Sequence, residues 1–328
     1  MPRRRLGRTG FEVSEVGFGG WAIGGTWGAV DEGNALAAIR AALDEGVTFF
    51  DTADVYGDGL SERRLAAVLG ERPRAGVVVA TKAGRRLDPH VSDGYNRVNL
   101  ERFVDRSLEN LGVEAIDLLQ LHCPPPDAYY RQEVFEAVDE LVTAGKVLHY
   151  GVSVEKVEEA LKAIEYPGVE TIQIIFNMFR HRPAALLFRE AAVRDVGLIV
   201  RVPLASGLLS GKMSTATRFA SDDHRTFNRD GSAFDVGETF AGVDYADGLA
   251  AVEELRPLVP DGATMAQFAI RWILMSEAVS TVIPGAKTAG QAIANAHSAL
   301  LPELDPATMA AVADIYRRLI APSVHHRW

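Results

Sequence analysis

Cysteine is almost absent from the sequence. The single residue, Cys123, excludes an internal disulfide framework and is typical of a protein from a reducing compartment. No apolar run is long enough to cross a bilayer. The basic start over residues 1–7 is not followed by an apolar segment or a small-residue cleavage site, so we expect no signal peptide. These absences favour a cytoplasmic protein with no membrane partner.

An excess of basic residues is also missing. Lys and Arg number 34 against 44 Asp and Glu, which gives a net charge of −10. Binding to nucleic acid needs clustered cations that neutralise phosphates, so this class of partner is excluded. Nearly half of the residues (48%) are apolar, and a chain of 328 residues buries most of its surface without covalent staples. The sequence does not distinguish a monomer from a homo-oligomer.

Short apolar runs alternate with longer amphipathic segments along the chain. The runs predict buried parallel strands. They are Val16–Gly20, Val47–Phe50, Val77–Ala80, Ile116–Leu121, His149–Val152, Ile172–Ile175, Leu198–Val202 and Thr281–Ile283. The predicted helices are Ala35–Glu45, Ser61–Gly70, Leu100–Leu111, Val134–Ala144, Val157–Ile164, Arg182–Val196, Thr264–Ser276, Ala289–Ala299 and Pro306–Ile320. Eight repeats of strand and helix predict the α/β class and a closed, parallel (β/α)₈ TIM barrel, as one domain over residues 1–328.

Three segments interrupt this alternation. Residues 3–13 predict a short N-terminal β-hairpin that turns at Arg8-Thr9-Gly10. Residues 213–247 form a long polar loop after the seventh strand, and its interspersed phenylalanines favour a functional lid. Residues 248–259 are expected to add an extra helix.

Polar side chains follow the predicted strands at the point where each strand ends. The second strand ends at Asp51, with Tyr56 shortly after, the third ends at Lys82, and the fourth at His122. The fifth strand ends at Ser153, and the sixth carries Gln173. Reactive residues of a (β/α)₈ barrel lie at the carboxyl ends of its strands. We therefore expect these groups to meet at one rim of the barrel.

These residues belong to seven motifs that occur in order along the chain. They are Phe49–Tyr56, Ala80–Lys82, Leu119–His122, Gly151–Ser153, Ile172–Asn177, Pro203–Lys212 and Val282–Gly285. In these motifs the chain resembles the aldo-keto reductase superfamily, and its glycine pattern is most similar to the bacterial and potassium-channel β-subunit branch. The resemblance implies an NADPH-dependent oxidoreductase that reduces an aldehyde or ketone to an alcohol, with a sugar or keto-sugar among the candidate substrates.

The resemblance also implies roles for four side chains. Tyr56 would be the general acid that protonates the carbonyl oxygen while hydride from the nicotinamide reaches the carbon. Free tyrosine titrates near pH 10, and a neighbouring ammonium favours the phenolate, so Lys82 is expected to lower the pKa of Tyr56. Asp51 would pair with Lys82 and fix it, and His122 would orient the substrate oxygen.

Each of these residues also has a structural interpretation. An Asp–Lys pair is often a weak surface ion pair, and a tyrosine after a strand is often a packing residue. The adjacent His122 and Cys123 suggest a metal or a thiol nucleophile, but zinc needs three or four ligands and no second Cys–His cluster exists. We therefore expect no metal site.

The cofactor phosphates are expected at the loops after the seventh and eighth strands, as in other barrels. Ser206, Gly207 and Leu208 allow close backbone approach, and Lys212 and Arg218 offer cations. The resemblance places nicotinamide-amide contacts at Ser153 and Gln173, and adenosine contacts at Lys287, Gln291 and Asn295. The remaining expected cofactor contacts are Gly20, Trp21, Arg201, Pro203, Leu204, Gly211 and Gly285. Because Lys287 suits a 2′-phosphate at a helix start, NADPH is preferred and NADH is the alternative.

The cofactor site departs from the family pattern at Val154, Arg201 and Ala294. Many relatives carry an aromatic residue at the position of Arg201, so its charge is expected to weaken binding of the oxidised nicotinamide relative to the reduced form. The substrate pocket is expected to be lined by Trp21, Trp27, Val55 and Cys123, with residues 213–247 setting substrate choice.

Two other functions compete with a carbonyl reductase. One is a regulatory module that senses the nicotinamide redox state with residual reductase activity, as the branch resemblance suggests. The other is a flavin or sugar-phosphate barrel enzyme, which would share the phosphate site but leaves Tyr56, Lys82 and His122 without a role. Turnover of carbonyl substrates distinguishes these classes.

Overall fold

Eight parallel strands form one sheet at the centre of the molecule. The computed structural model describes residues 1–25 and 30–328. The strands are β3 (Phe18–Gly19), β4 (Phe49–Asp51), β5 (Val78–Ala83), β6 (Ile116–His122), β7 (Val147–Ser153), β8 (Val169–Ile175), β9 (Gly197–Arg201) and β10 (Val279–Val282). Each strand pairs in parallel with the next one along the chain. The eight predicted strands are therefore present, with ends shifted by a few residues.

The two edges of this sheet approach each other. Val16 forms an isolated parallel bridge with Val282, and Gly19 forms another with Gly285. The Gly17 N–H donates to the Val282 carbonyl (2.8 Å), and the Val282 N–H donates to the Glu15 carbonyl (2.9 Å). Strand β3 has only two residues, so these bonds, rather than a regular ladder, link the first and last strands.

The helices surround the sheet and follow the predicted segments closely. They are α1 (Glu32–Asp44), α2 (Leu60–Leu69), α3 (Arg97–Leu111), α4 (Gln132–Thr143), α5 (Val157–Ala163), α6 (Leu187–Val193), α7 (His224–Phe227), α8 (Tyr245–Leu255), α9 (Met265–Leu274), α10 (Ala289–His297), α11 (Pro306–Ile315) and α12 (Ala321–Val324). Thr264 caps α9 through a capping box with Gln267. Among the residues that the structure describes, no helix has the length and apolarity to cross a bilayer.

Two predicted helices are interrupted. Residues 182–196 form a 3₁₀ turn (Arg182–Ala185) and then α6, because Leu186 leaves the helical conformation (φ −137°). After α11 a π-turn spans Tyr316–Ile320 before α12 begins. Pro322 cannot donate a backbone hydrogen bond to the preceding turn, which accounts for the wider turn there.

The predicted hairpin lies at the amino-terminal end of the parallel strands. Its strands, β1 (Arg3–Arg5) and β2 (Glu12–Ser14), pair antiparallel. Leu6 and Val13 are fully buried and pack in one cluster with apolar side chains of the central strands. The Arg4 guanidinium donates to the carbonyls of Leu274, Ser276 and Val279. The hairpin thus occupies one end of the sheet and leaves the carboxyl ends of the strands for the candidate site.

The long loop after β9 is folded over those carboxyl ends. It contains α7 and two 3₁₀ turns, Val236–Glu238 and Phe240–Gly242. The Ser206 hydroxyl donates to the Glu238 carbonyl (3.0 Å) and accepts from the Phe240 N–H (3.0 Å). The extra helix expected after the loop is α8, which begins a few residues earlier than predicted.

Candidate active site

Asp51, Lys82 and Tyr56 form a connected group at the rim where β4 and β5 end. The Lys82 ammonium donates to Asp51 Oδ1 (2.5 Å), to the Thr52 carbonyl (2.8 Å) and to the Tyr56 hydroxyl (3.3 Å). The Lys82 side chain is completely buried, so this is not a solvated surface ion pair. Burial lowers the pKa of Lys82, while the charge of Asp51 opposes that effect.

The second oxygen of Asp51 is held by two amides. Gln120 and Gln173 each donate to Asp51 Oδ2, at 3.1 Å and 2.7 Å. Gln173 also accepts from the Ser153 hydroxyl at 3.3 Å. A carboxylate with both oxygens engaged is held in one orientation, and it holds Lys82 in turn. Gln173 and Ser153, expected at the nicotinamide amide, thus lie beside the Asp51–Lys82 pair.

The pKa of Tyr56 differs from the expectation. Burial, together with the negative charges of Asp51 and Glu238, raises the pKa of Tyr56 well above its usual value. The net pKa shift is therefore upward rather than downward as expected, because burial outweighs the effect of the neighbouring cations. Tyr56 keeps its proton at neutral pH.

His122 lies at the end of β6 and its ring meets the Tyr56 ring edge to face, with centroids 5.9 Å apart. Burial and the charges of Arg85 and Lys82 hold the pKa of His122 well below its usual value, so the ring is neutral. Its Nδ1 atom is buried with no hydrogen-bond partner among the residues that the structure describes. A neutral imidazole carries one proton and can donate it in a hydrogen bond to an oxygen.

A cavity of about 450 Å³ opens beside these side chains, a size typical of small-molecule sites. Most of the predicted site residues line it. They are Trp21, Asp51, Tyr56, His122, Ser153, Gln173, Arg201, Pro203, Leu204, Ser206, Gly207, Lys212, Gly285, Lys287, Gln291 and Asn295. Side chains from β4, β6, β7, β8 and β9 thus meet at one cavity, as the strand-end pattern predicts.

Some predicted residues lie elsewhere. Lys82 lies behind Asp51 and Tyr56, and Arg218 is turned back to the carbonyls of Thr215 and Thr217. The other residues outside the cavity lining are Gly20, Val55, Cys123, Leu208 and Gly211. Cys123 is buried behind the wall, where its sulfur contacts the Ser153 hydroxyl (3.7 Å). Trp27 lies outside the described residues.

The loop after β9 contains several residues with left-handed backbone. Ser206 and Gly207 are left-handed (φ 53° and 98°), and Val202 is left-handed as well (φ 51°), which is rare for a β-branched residue. A Cβ on Gly207 would lie 2.6 Å from Met213 Cε. Such strained backbone is concentrated at binding sites, where it allows close approach of a ligand.

Cations surround the same end of the cavity. Lys212, Lys287 and Arg225 all contribute to its lining, and α10 begins there with the Thr288 hydroxyl as its cap. Gln291 accepts from the Lys287 N–H (2.8 Å), and Asn295 donates to the Gly285 carbonyl (3.2 Å). The set of cations, the strained turn and a helix start fit a dinucleotide with its phosphates at this end.

Comparison with known proteins bears directly on this geometry. The sequence model of the Aldo/keto reductase family matches residues 15–317. This chain belongs to the aldo/keto reductase family.

Similar proteins extend over nearly the whole chain. The aldo-keto reductase YhdN of Bacillus subtilis is 34% identical over 300 residues, covering 89% of this chain and 86% of the relative. A probable voltage-gated potassium channel subunit beta of Oryza sativa is 30% identical, covering 90% of each chain. The structure of the glycerol dehydrogenase AKR11B4 from Gluconobacter oxydans superposes with a TM-score of 0.78 at 30% identity, covering 98% of this chain and 96% of that one.

As an aldo/keto reductase, the protein is an oxidoreductase that acts on carbonyl and alcohol groups, and its family generally uses NAD(P)H. The expected resemblance to bacterial reductases and channel β-subunits is confirmed.

Several charged residues at this site are not predicted from the sequence. Glu238 and Arg225 line the cavity from the long loop, and Arg225 is held by Asp223 through two hydrogen bonds (2.9 Å and 2.6 Å). Arg85 and Glu155 form ion pairs beside the cavity. The long loop was expected to be functional, but nothing in its composition singles out these side chains, since charged loop residues are usually solvated.

Proposed function

We propose that this aldo/keto reductase reduces an aldehyde or ketone to an alcohol, with NADPH as the hydride source and Tyr56 as the general acid. The observation that supports this role is the buried chain of Asp51, Lys82 and Tyr56, whose last member faces a cavity of suitable size. The nicotinamide, when bound, supplies the hydride that reduces the carbonyl carbon. The protein then has to supply one proton to the carbonyl oxygen and to hold that oxygen in place.

Tyr56, Lys82 and His122 have different roles in this proposed reaction. Tyr56 carries the proton at neutral pH, because burial and two carboxylates disfavour its phenolate. When the proton leaves, the Lys82 ammonium at 3.3 Å is the group that stabilises the phenolate. The neutral His122 ring is suited to orient the substrate oxygen from the other side. In the oxidation of an alcohol the same groups would act in reverse.

A preference for NADPH is supported by the cations at the far end of the cavity. Lys287 lies at the start of α10, and Arg225 approaches it closely enough to lower its pKa, after burial as the main cause. Two cations at a helix start suit a 2′-phosphate better than a ribose hydroxyl. Initial rates with NADPH and NADH over a panel of aldehydes, ketones, sugars and keto-sugars test both the cofactor and the substrate class.

The general-acid role is tested with Tyr56→Phe. This change removes one oxygen and leaves the ring, so reduction should fall at least about 10²–10³-fold while NADPH binding is retained. Undiminished turnover would remove Tyr56 from the mechanism. A wild-type protein that binds NADPH but reduces no carbonyl compound would instead favour the redox-sensing module suggested by the channel β-subunit relatives.

We also propose that the sheet is a closed barrel within a single domain. The backbone hydrogen bonds from the Gly17 N–H to the Val282 carbonyl and from the Val282 N–H to the Glu15 carbonyl support closure. Entry from the carboxyl ends of the strands would then be the route for both cofactor and carbonyl compound, with the long loop at the entrance setting substrate choice.

A further inference from the structure

Four charged side chains form an ion network along one wall of the cavity. Arg85 contacts Glu155 (3.1 Å) and Glu238 (2.8 Å), and Arg201 contacts the same two carboxyl groups (2.9 Å and 3.7 Å). Each residue comes from a different segment: Arg85 follows β5, Glu155 follows β7, Arg201 ends β9, and Glu238 lies in the long loop. Arg201 and Glu238 line the cavity directly.

The two carboxyl groups of this network lie side by side. One carboxylate oxygen of Glu155, one of Glu238 and the Cys123 sulfur all lie within 4.8 Å of one another. The Arg201 guanidinium also donates to the Val154 carbonyl (2.9 Å), which fixes it in this position. When both carboxyl groups are ionised, the charges of the two arginines and the two glutamates cancel. Loss of one negative charge leaves the wall with a net charge of +1.

The same cavity receives the nicotinamide in the proposed function, on which this inference rests. Its oxidised ring carries a positive charge and its reduced ring does not. We propose that Glu155 and Glu238 set the relative affinity for oxidised and reduced nicotinamide, by offsetting the charges of Arg201 and Arg85. A wall with net charge +1 repels the oxidised ring, and beside the low-dielectric protein interior such an interaction changes affinity by about tenfold or more. The reduced ring is little affected.

The network also couples this selectivity to pH. Burial and the neighbouring carboxylate of Glu238 raise the pKa of Glu155 to about 8. Burial opposes ionisation of Glu238 too, but the charges of Arg85 and Arg201 hold its pKa well below the usual range. The other titratable or charged groups facing Glu155 are Cys123, Tyr129, Glu159 and Arg180.

The direction of the pH effect follows from these charges. Below about pH 8 Glu155 is protonated, the network carries +1, and the oxidised cofactor binds more weakly. Above that pH the network is neutral and the oxidised cofactor binds better. Binding of the oxidised form should therefore release a proton from Glu155, whereas binding of the reduced form should not.

The experiment is a binding titration rather than an assay of turnover. The Kd of NADP⁺ and of NADPH is measured by fluorescence between pH 6 and pH 9.5, and their ratio is taken at each pH. The ratio cancels effects common to both forms, including ionisation of the 2′-phosphate. For the wild type, Kd(NADP⁺)/Kd(NADPH) should fall as pH rises through about 8. In Glu155→Gln the ratio should be independent of pH and about tenfold above the wild-type ratio at pH 9.

Further variants distinguish an effect of charge on the Kd ratio from an effect of the substitution on folding. Glu158→Gln makes the same change in net charge at an exposed ion pair with Arg182, and its ratio should match the wild type. Arg201→Met leaves the network with one positive charge fewer and should lower the ratio. The double variant Glu155→Gln/Arg201→Met is neutral again and should return towards the wild-type ratio at pH 9. Arg201→Met tests the proposal even if Glu155→Gln does not fold.

The outcomes distinguish this inference from the function on which it rests. Wild-type protein that binds neither cofactor form at any pH would contradict the proposed function as well. Binding of both forms with a ratio that is independent of pH and unchanged in Glu155→Gln or Arg201→Met would overturn only the role of the ion network.

Discussion

Asp54 is a buried carboxyl group that destabilises the folded protein at neutral pH. It is fully buried, and neither oxygen has a hydrogen-bond partner among the described residues beyond a weak approach to the Val55 N–H. Burial and the nearby charge of Glu62 raise its pKa from 3.8 to about 7. At about 1.4 kcal/mol for each pH unit, ionising Asp54 costs the folded state up to about 4 kcal/mol.

The perturbation that removes this cost is Asp54→Asn. A raised carboxyl pKa means that the folded state binds the proton more tightly, so stability is lost as pH rises from about 4 to about 7 and is then constant. The variant should therefore match the wild type near pH 4 and exceed it above pH 7. Above pH 7 we therefore expect a gain of up to about 4 kcal/mol in the free energy of unfolding.

Urea denaturation at pH 4.5, 6, 7.5 and 9 measures this difference. Asp58→Asn is the matched control, because Asp58 is exposed and bonded to Arg86 and Arg106, which hold its pKa below the usual value. Its neutralisation should lower stability slightly at neutral pH, the opposite sign. A difference for Asp54→Asn that stays constant from pH 4.5 to pH 9 would refute the reasoning.

Two further changes probe the site. Lys82→Met leaves the buried Asp51 carboxylate without its cation, so the free energy of unfolding measured in urea should fall by about 3–5 kcal/mol. The double variant Lys82→Met/Asp51→Asn should recover much of this loss. Equal losses in the single and double variants would contradict a buried ion pair. Gly207→Ala places a Cβ on a left-handed backbone (φ 98°) and displaces the end of the Met213 side chain, so the Kd for NADPH should rise about tenfold while the circular dichroism spectrum is unchanged. Unchanged affinity would show that this turn does not contact the cofactor.

The central strands and the polar side chains at their carboxyl ends were predictable for a physical reason. A polar side chain at the end of a buried apolar run is costly unless it has a role, so Asp51, Lys82 and His122 stand out in the sequence. The strained turn at Ser206 and Gly207 was marked by its glycine and by its place after the seventh barrel strand. The local sequence pattern and the order of the parallel strands were sufficient for these predictions.

The ion network could not be predicted in the same way. Arg85 is separated from Glu155 by 70 residues and from Glu238 by 153 residues, and each lies among polar neighbours in a connecting segment. Only the folded chain brings these charges together and buries them. The direction of the Tyr56 pKa shift was missed for the same reason, since it depends on Glu238 and on burial. Interruption of the helix at Leu186 likewise follows from the folded chain rather than from apolar periodicity.

The hairpin at the start of the chain has a consequence for biosynthesis. Arg4 bonds to the Ser276 carbonyl, 272 residues away, and the backbone of Val16 bridges to Val282. At about 5–20 residues per second, these partners leave the ribosome roughly 15–50 s after the hairpin does. The apolar cluster that contains Leu6 and Val13 also contains Ile199 and Ile283, so it is complete only near the end of translation. A ribosome-bound chain that ends before β10 should therefore be a substrate for chaperones that bind apolar segments.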